Sequence, residues 1–133
     1  MGVVYLAEDL RLKRTMRYVE GDDLKGVLRD GPLAPERAIA LVSQIASALD
    51  AAHARGLVHR DVKPSNVLIA PAAGHEGADH VYLADFGLTK RLTEQEAFEP
   101  GQLLGTADYV APEQIRGDDL DGRTDVYSLG CLL

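Results

Sequence analysis

Four short polar segments, each set beside an apolar run, restrict the fold of this chain more than any other feature. His59-Arg60-Asp61 leads directly into Val62-Lys63-Pro64-Ser65-Asn66. Asp85-Phe86-Gly87 closes the apolar run at 81–84. Ala111-Pro112-Glu113 comes next, and Asp125-Val126-Tyr127-Ser128-Leu129-Gly130 lies near the end. One such tripeptide is weak information. The whole set in this order, each piece at the end of an expected strand or helix, is not.

The intervening sequence supplies those elements. Residues 2 to 7 read as a strand, residues 8 to 15 as a polar turn, and residues 16 to 19 as a short strand that ends at Glu20-Gly21. A short helix is predicted over Asp22–Arg29, with Asp22 as N-cap and Gly31-Pro32 as the stop. The strongest helix signal covers Pro35–Arg55. Pro35 suits the first turn, Glu36 the positive end of the dipole, and Gly56 the C-terminal stop. Ile39, Val42, Ile45, Ala46, Leu49 and Ala52 form its apolar stripe. Residues 67 to 70 and 81 to 84 are short strands joined by a Pro-, Gly- and Ala-rich loop. Residues 93 to 102 read as an acidic surface loop. A last helix begins near Thr124 and reaches Leu133 with no stop signal, so the domain is expected to continue beyond it.

Composition excludes several classes. The formal net charge of -7 gives no counterion-release advantage on nucleic acid, so a nucleic-acid partner is not expected. Cys131 is the lone cysteine, which rules out an intrachain disulfide; it reads as a small buried residue of the last helix. No apolar run approaches the roughly 18 residues of a membrane span, and the N-terminus lacks a signal-peptide pattern. A cytoplasmic setting is the expectation. With aromatics at 5% and no Trp, the core must rest on aliphatic side chains.

The ordered segments resemble the eukaryotic-type protein kinases, whose signatures include a catalytic loop, a metal-binding DFG and an APE. The resemblance covers nearly the whole chain. It implies an α+β, protein-kinase-like fold, mainly the helical large lobe with a vestigial small-lobe strand pair. Residues 1–15 would be the small-lobe remnant, 16–23 the hinge and 24–133 a partial large lobe. The implied activity is ATP- and Mg²⁺-dependent phosphoryl transfer to Ser or Thr hydroxyls of proteins, which needs charge neutralised and a nucleophile aimed.

By resemblance, Asp61 takes or orients the hydroxyl proton, and Lys63 stabilises the transferring phosphoryl group. Lys63, two residues after Asp61, marks serine/threonine rather than tyrosine specificity. Asn66 and Asp85 would offer hard oxygens to Mg²⁺. Thr106 would bond near Asp61 and Lys63. His59 and Phe86 are packing residues, and Asp125 is the buried acid that holds the catalytic-loop backbone. In the family Glu113 pairs with an Arg of a later helix; that helix is absent from this chain, so Glu113 is expected to lack this partner. For the nucleotide, Met16 backs the adenine pocket, Arg17 and Val19 present backbone groups, and Val4 and Leu68 sandwich the base or simply fill core. Asp23 reaches the ribose or, equally, caps a helix. Arg60 beside Asp61 implies regulation through a phosphate in the activation loop, although residues 94 to 105 contain no Ser, Thr or Tyr.

The resemblance also fails in places. Gly2-Val3-Val4 matches only the end of the family's glycine-rich loop. Residues 5–14 run into 16–24 with no V-A-I-K segment between, and neither Lys13 nor Lys25 has that context. Roughly 70 to 80 residues of small lobe are missing by the family pattern, with the Lys–Glu pair that orients the phosphates. Feeble activity is therefore expected, with a pseudokinase-like nucleotide- or partner-binding fragment and an inactive gene fragment as alternatives. Phrases such as DAAHARGLVHRDVKP are similar to bacterial, especially actinobacterial, members.

Overall fold

The computed structural model describes residues 6–9, 14–17, 19–71, 79–86 and 107–133. Strands β1 (Leu6–Asp9) and β2 (Arg14–Arg17) pair antiparallel as a two-stranded sheet, with Leu6 opposite Arg17. The ends of the predicted polar turn, 8–9 and 14–15, are thus strand. Strand β3 (Asp22–Asp23) leads straight into helix α1 (Leu24–Val27) and a 3₁₀ turn over Leu28–Asp30. The cap falls one residue later than the sequence suggests: Asp23 Oδ1 accepts the Gly26 N–H at 2.6 Å.

Helix α2 (Pro35–His53) ends as its glycine dictates. Gly56 adopts φ +72°, and its N–H reaches the His53 carbonyl at 2.9 Å while the Leu57 N–H reaches that of Ala52 at 3.0 Å. The buried stripe of α2 is Leu41, Ile45, Leu49 and Ala52. It shares Ile45, Leu49 and Ala52 with the predicted stripe and adds Leu41, while Ile39 is 65% exposed.

Strands β4 (Val67–Pro71) and β5 (Asp79–Leu83) complete an antiparallel sheet in the order β3-β4-β5. Period-two alternation sends Val67 and Ile69 inward to meet Val81, and these three join the α2 stripe, Leu24 and Val62 in one core. A Cβ at Gly21 would overlap the Ile69 carbonyl oxygen, so the chain entering β3 must be glycine there. Gln44 of α2 covers the β5 edge. Its Oε1 accepts the Val81 N–H and its Nε2 donates to the Asp79 carbonyl, both at 3.1 Å. Arg37 Nε adds an ion pair to Asp79 at 2.7 Å.

Helix α3 (Pro112–Arg116) follows a 3₁₀ turn at Ala107–Tyr109 and stops at Gly117, which has φ +71°. Helix α4 (Gly122–Gly130) starts two residues before the predicted Thr124, capped by Asp121, whose carboxylate accepts the Arg123 N–H. Cys131 caps the C-terminus of α4 and is exposed, contrary to expectation.

Candidate active site

The site is built on the loop between α2 and β4. Helix α4 holds that loop by one carboxylate. Asp125, 0% exposed, accepts the N–H groups of His59 at 2.8 Å and Arg60 at 2.7 Å. A third partner, His53 Nε2 of the last α2 turn, lies 2.7 Å from Asp125 Oδ2. A carboxylate buried without such partners would cost several kcal/mol. With them it becomes a rigid anchor. The two neighbours of Asp125 on the same side of α4 act on the other loop of the site. Thr124 Oγ1 donates to Glu113 at 2.9 Å, and Ser128 Oγ donates to the Tyr109 carbonyl at 2.7 Å. Glu113 is thus engaged by a hydroxyl of α4.

His59 joins the loop to the end of β5. Its ring is buried 4.5 Å from that of Phe86, centroid to centroid. Nδ1 accepts the Asp61 N–H at 3.2 Å, so Nε2 carries the proton and donates to the Ala84 carbonyl at 2.8 Å. Burial pulls the imidazole pKa below its ordinary value of 6.5; the Ala84 bond and the charges of Asp125, Asp61 and Asp85 oppose this. The neutral ring satisfies both of its partners.

Asp61 sits at the centre. Its Oδ2 is 2.8 Å from Lys63 Nζ and 2.9 Å from Asn66 Nδ2. Asn66 Nδ2 also donates to the Asp61 carbonyl at 2.8 Å. The Ala84 N–H donates to the Asn66 carbonyl at 2.9 Å, so Asp85 follows directly from a residue pinned to Asn66. Two residues here hold left-handed backbone without being glycine, Arg60 at φ +70° and Asp85 at φ +62°. Such conformations cost of order 1–3 kcal/mol each and collect at functional sites. Asn66 commits its amide nitrogen to Asp61, which leaves Oδ1 as a hard oxygen for a cation. Among the described residues no group of three or more acidic, His or Cys side chains could hold a metal. One acid and one amide fit Mg²⁺, which keeps waters and substrate phosphates as its remaining ligands.

The other predicted residues divide. Asp23 and Leu68 are direct cross-strand neighbours in β3 and β4, and Val19 is half-buried just before them. Asp23 carries out the capping role. Met16 and Arg17 belong to β2. Val4 and Thr106 lie outside the described residues. Sequence reasoning missed His53, Gln114, Thr124 and Ser128. Gln114 Nε2 donates to the Arg60 carbonyl at 2.8 Å, and its Oε1 accepts the Ala111 N–H at 3.1 Å. The latter is half of a capping box, and Gln at the third helical position is the sequence signal for it. The guanidinium Nε of Arg60 is buried with no hydrogen-bond partner among the described residues.

A helical lobe on a small antiparallel sheet, with an Asp–Lys–Asn loop next to a strand-end Asp-Phe, is the large-lobe architecture of a protein kinase. The protein kinase domain family profile matches residues 5–133, and the chain belongs to that family. It is 50% identical over 119 residues to the serine/threonine-protein kinase PknH of Mycobacterium bovis, a match covering 89% of this chain and 19% of that protein. It is 45% identical over 126 residues to PknE of Mycobacterium tuberculosis, covering 94% and 21%. The crystal structure of the Mycobacterium tuberculosis PknI kinase domain superposes with a TM-score of 0.65 at 36% identity, covering 86% of this chain and 40% of that one. The chain therefore spans about a fifth of the length of these curated relatives. The family generally uses ATP and Mg²⁺ and acts on proteins. No helix among the described residues is long and apolar enough to cross a membrane.

Proposed function

We propose that this chain carries the phosphoryl-transfer site of a serine/threonine-protein kinase and works slowly as it stands. The observation that carries the reading is the shared Asp61 Oδ2, held at once by Lys63 Nζ and Asn66 Nδ2. Those contacts aim a carboxylate while leaving it free to take a hydroxyl proton. Lys63 stands beside it to meet negative charge on the moving phosphoryl group. Bound Mg²⁺ would neutralise the nucleotide phosphates, and Asn66 Oδ1 and Asp85 are the groups to hold it. Asp23, Leu68 and Val19 would face the nucleotide, and Met16, Arg17 and Val4 would complete its site. Thr106 would complete the substrate side. Residues 16–23 act as hinge and 24–133 as large lobe, in a cytoplasmic setting where ATP is present.

Slow turnover follows from the absent V-A-I-K segment, because no lysine is left to orient the α- and β-phosphates. Purified chain mixed with labelled ATP, Mg²⁺ and a generic Ser/Thr-containing protein should give phosphoserine or phosphothreonine. The expected rate is less than a tenth of the family's ordinary span of about 1–100 s⁻¹. Asp61→Asn or removal of Mg²⁺ should abolish it. Incorporation that survives Asp61→Asn sinks the reading, and nucleotide binding without turnover favours a pseudokinase-like role.

A further inference from the structure

Arg60, the residue that precedes Asp61, is gripped at both ends of its backbone. Asp125 Oδ1 takes the Arg60 N–H at 2.7 Å, and Gln114 Nε2 gives a hydrogen bond to the Arg60 carbonyl at 2.8 Å. Arg60 is one of the two left-handed residues of the site, so its carbonyl points where an ordinary backbone would not send it. The Arg60 carbonyl and the Asp61 N–H share one peptide plane. Fixing the carbonyl therefore fixes the N–H, which donates to His59 Nδ1 at 3.2 Å. Gln114 is itself fixed, since its Oε1 accepts the Ala111 N–H at 3.1 Å.

We propose that Gln114 is a positioning residue for Asp61, coupling the start of α3 to the catalytic loop through the Arg60 carbonyl. The inference rests on the reading of Asp61 as the residue that orients the substrate hydroxyl. Only a group with one donor and one acceptor serves both partners. An amide does, and so does a protonated carboxyl. An ionised carboxylate still accepts from Ala111 but sets an acceptor against the Arg60 carbonyl. Methionine fills the space and offers no donor.

The test compares the full chain with Gln114→Met and Gln114→Glu. Amide hydrogen exchange at Asp61 and the ¹³C shift of the Arg60 carbonyl are read by NMR. At neutral pH both variants should lose Asp61 protection by about two- to tenfold, the size of one net hydrogen bond. In Gln114→Glu the Arg60 carbonyl shift should return as the pH falls through the carboxyl titration, ordinarily at about 4.3, while Asp61 protection is compared only at neutral pH, where His59 Nδ1 accepts its N–H. Gln114→Met should show no such return, and a merely space-filling residue would not produce it. Where turnover is measured, kcat should fall by on the order of tenfold to a hundredfold with KM for ATP unchanged. Asp61 protection and an Arg60 carbonyl shift equal to wild type in both variants would overturn the proposal. If Gln114→Met does not fold, the Gln114→Glu titration decides alone. The exchange readout needs no turnover, so a wild-type chain that transfers no phosphate tells against the kinase reading and leaves this one standing on its own data.

Discussion

At the scale of single residues, the site depends on groups whose partners are backbone atoms far away in sequence. His59 shows what this means for pH. Its lowered pKa means that below about 6.5 the unfolded chain binds a proton that the folded chain does not. The stability it contributes is complete above that pH and is lost as the pH falls through the folded value. Protonation at Nδ1 also removes the acceptor for the Asp61 N–H. Denaturant unfolding between pH 7 and pH 5 should therefore show a falling free energy, with a flatter slope in His59→Phe; equal slopes would contradict the account. Asp61, Lys63, Asn66, Asp85 and Asp125 are legible as a group in the sequence because their residue types and order form a known signature. Gln114 and His53 are not. One grips a main-chain carbonyl and the other a carboxylate on α4, and neither partner leaves a mark in the local sequence.

At the scale of elements, the helix and strand types are readable and their faces less so. The period of α2 is plain, but the stripe lies on Leu41, Ile45 and Leu49 because α2 packs over β5 through Gln44 and Arg37. That docking turns Ile39 to solvent. Ile45→Ala should then cost about 2–5 kcal/mol, while Ile39→Ala stays within about 0.5 kcal/mol, as exposed sites do. Thermal or denaturant melting of both variants checks this, and similar losses at the two positions would mean the stripe is wrongly placed. Helix α3 escapes sequence reading because five residues are too few to show a period, and β3 escapes because two residues make a strand only through their pairing with β4.

At the scale of the molecule, α4 ties the catalytic loop and the 107–116 segment into one unit. Asp125 takes the first by its backbone, while Thr124 and Ser128 take the second. Native-state exchange should give the amides of His59, Arg60 and the 124–128 turn a common opening free energy, since cooperative units share one. Distinct values for the loop and the helix would show that they open separately. The same arrangement limits which sequence changes the chain can absorb. Successive residues of an α-helix are turned by about 100°. A codon inserted between Asp125 and Ser128 would swing the Ser128 hydroxyl off the Tyr109 carbonyl while leaving Asp125 in place. A change of length along this turn therefore gives up one of the two holds on the 107–116 segment and leaves it to Thr124 alone.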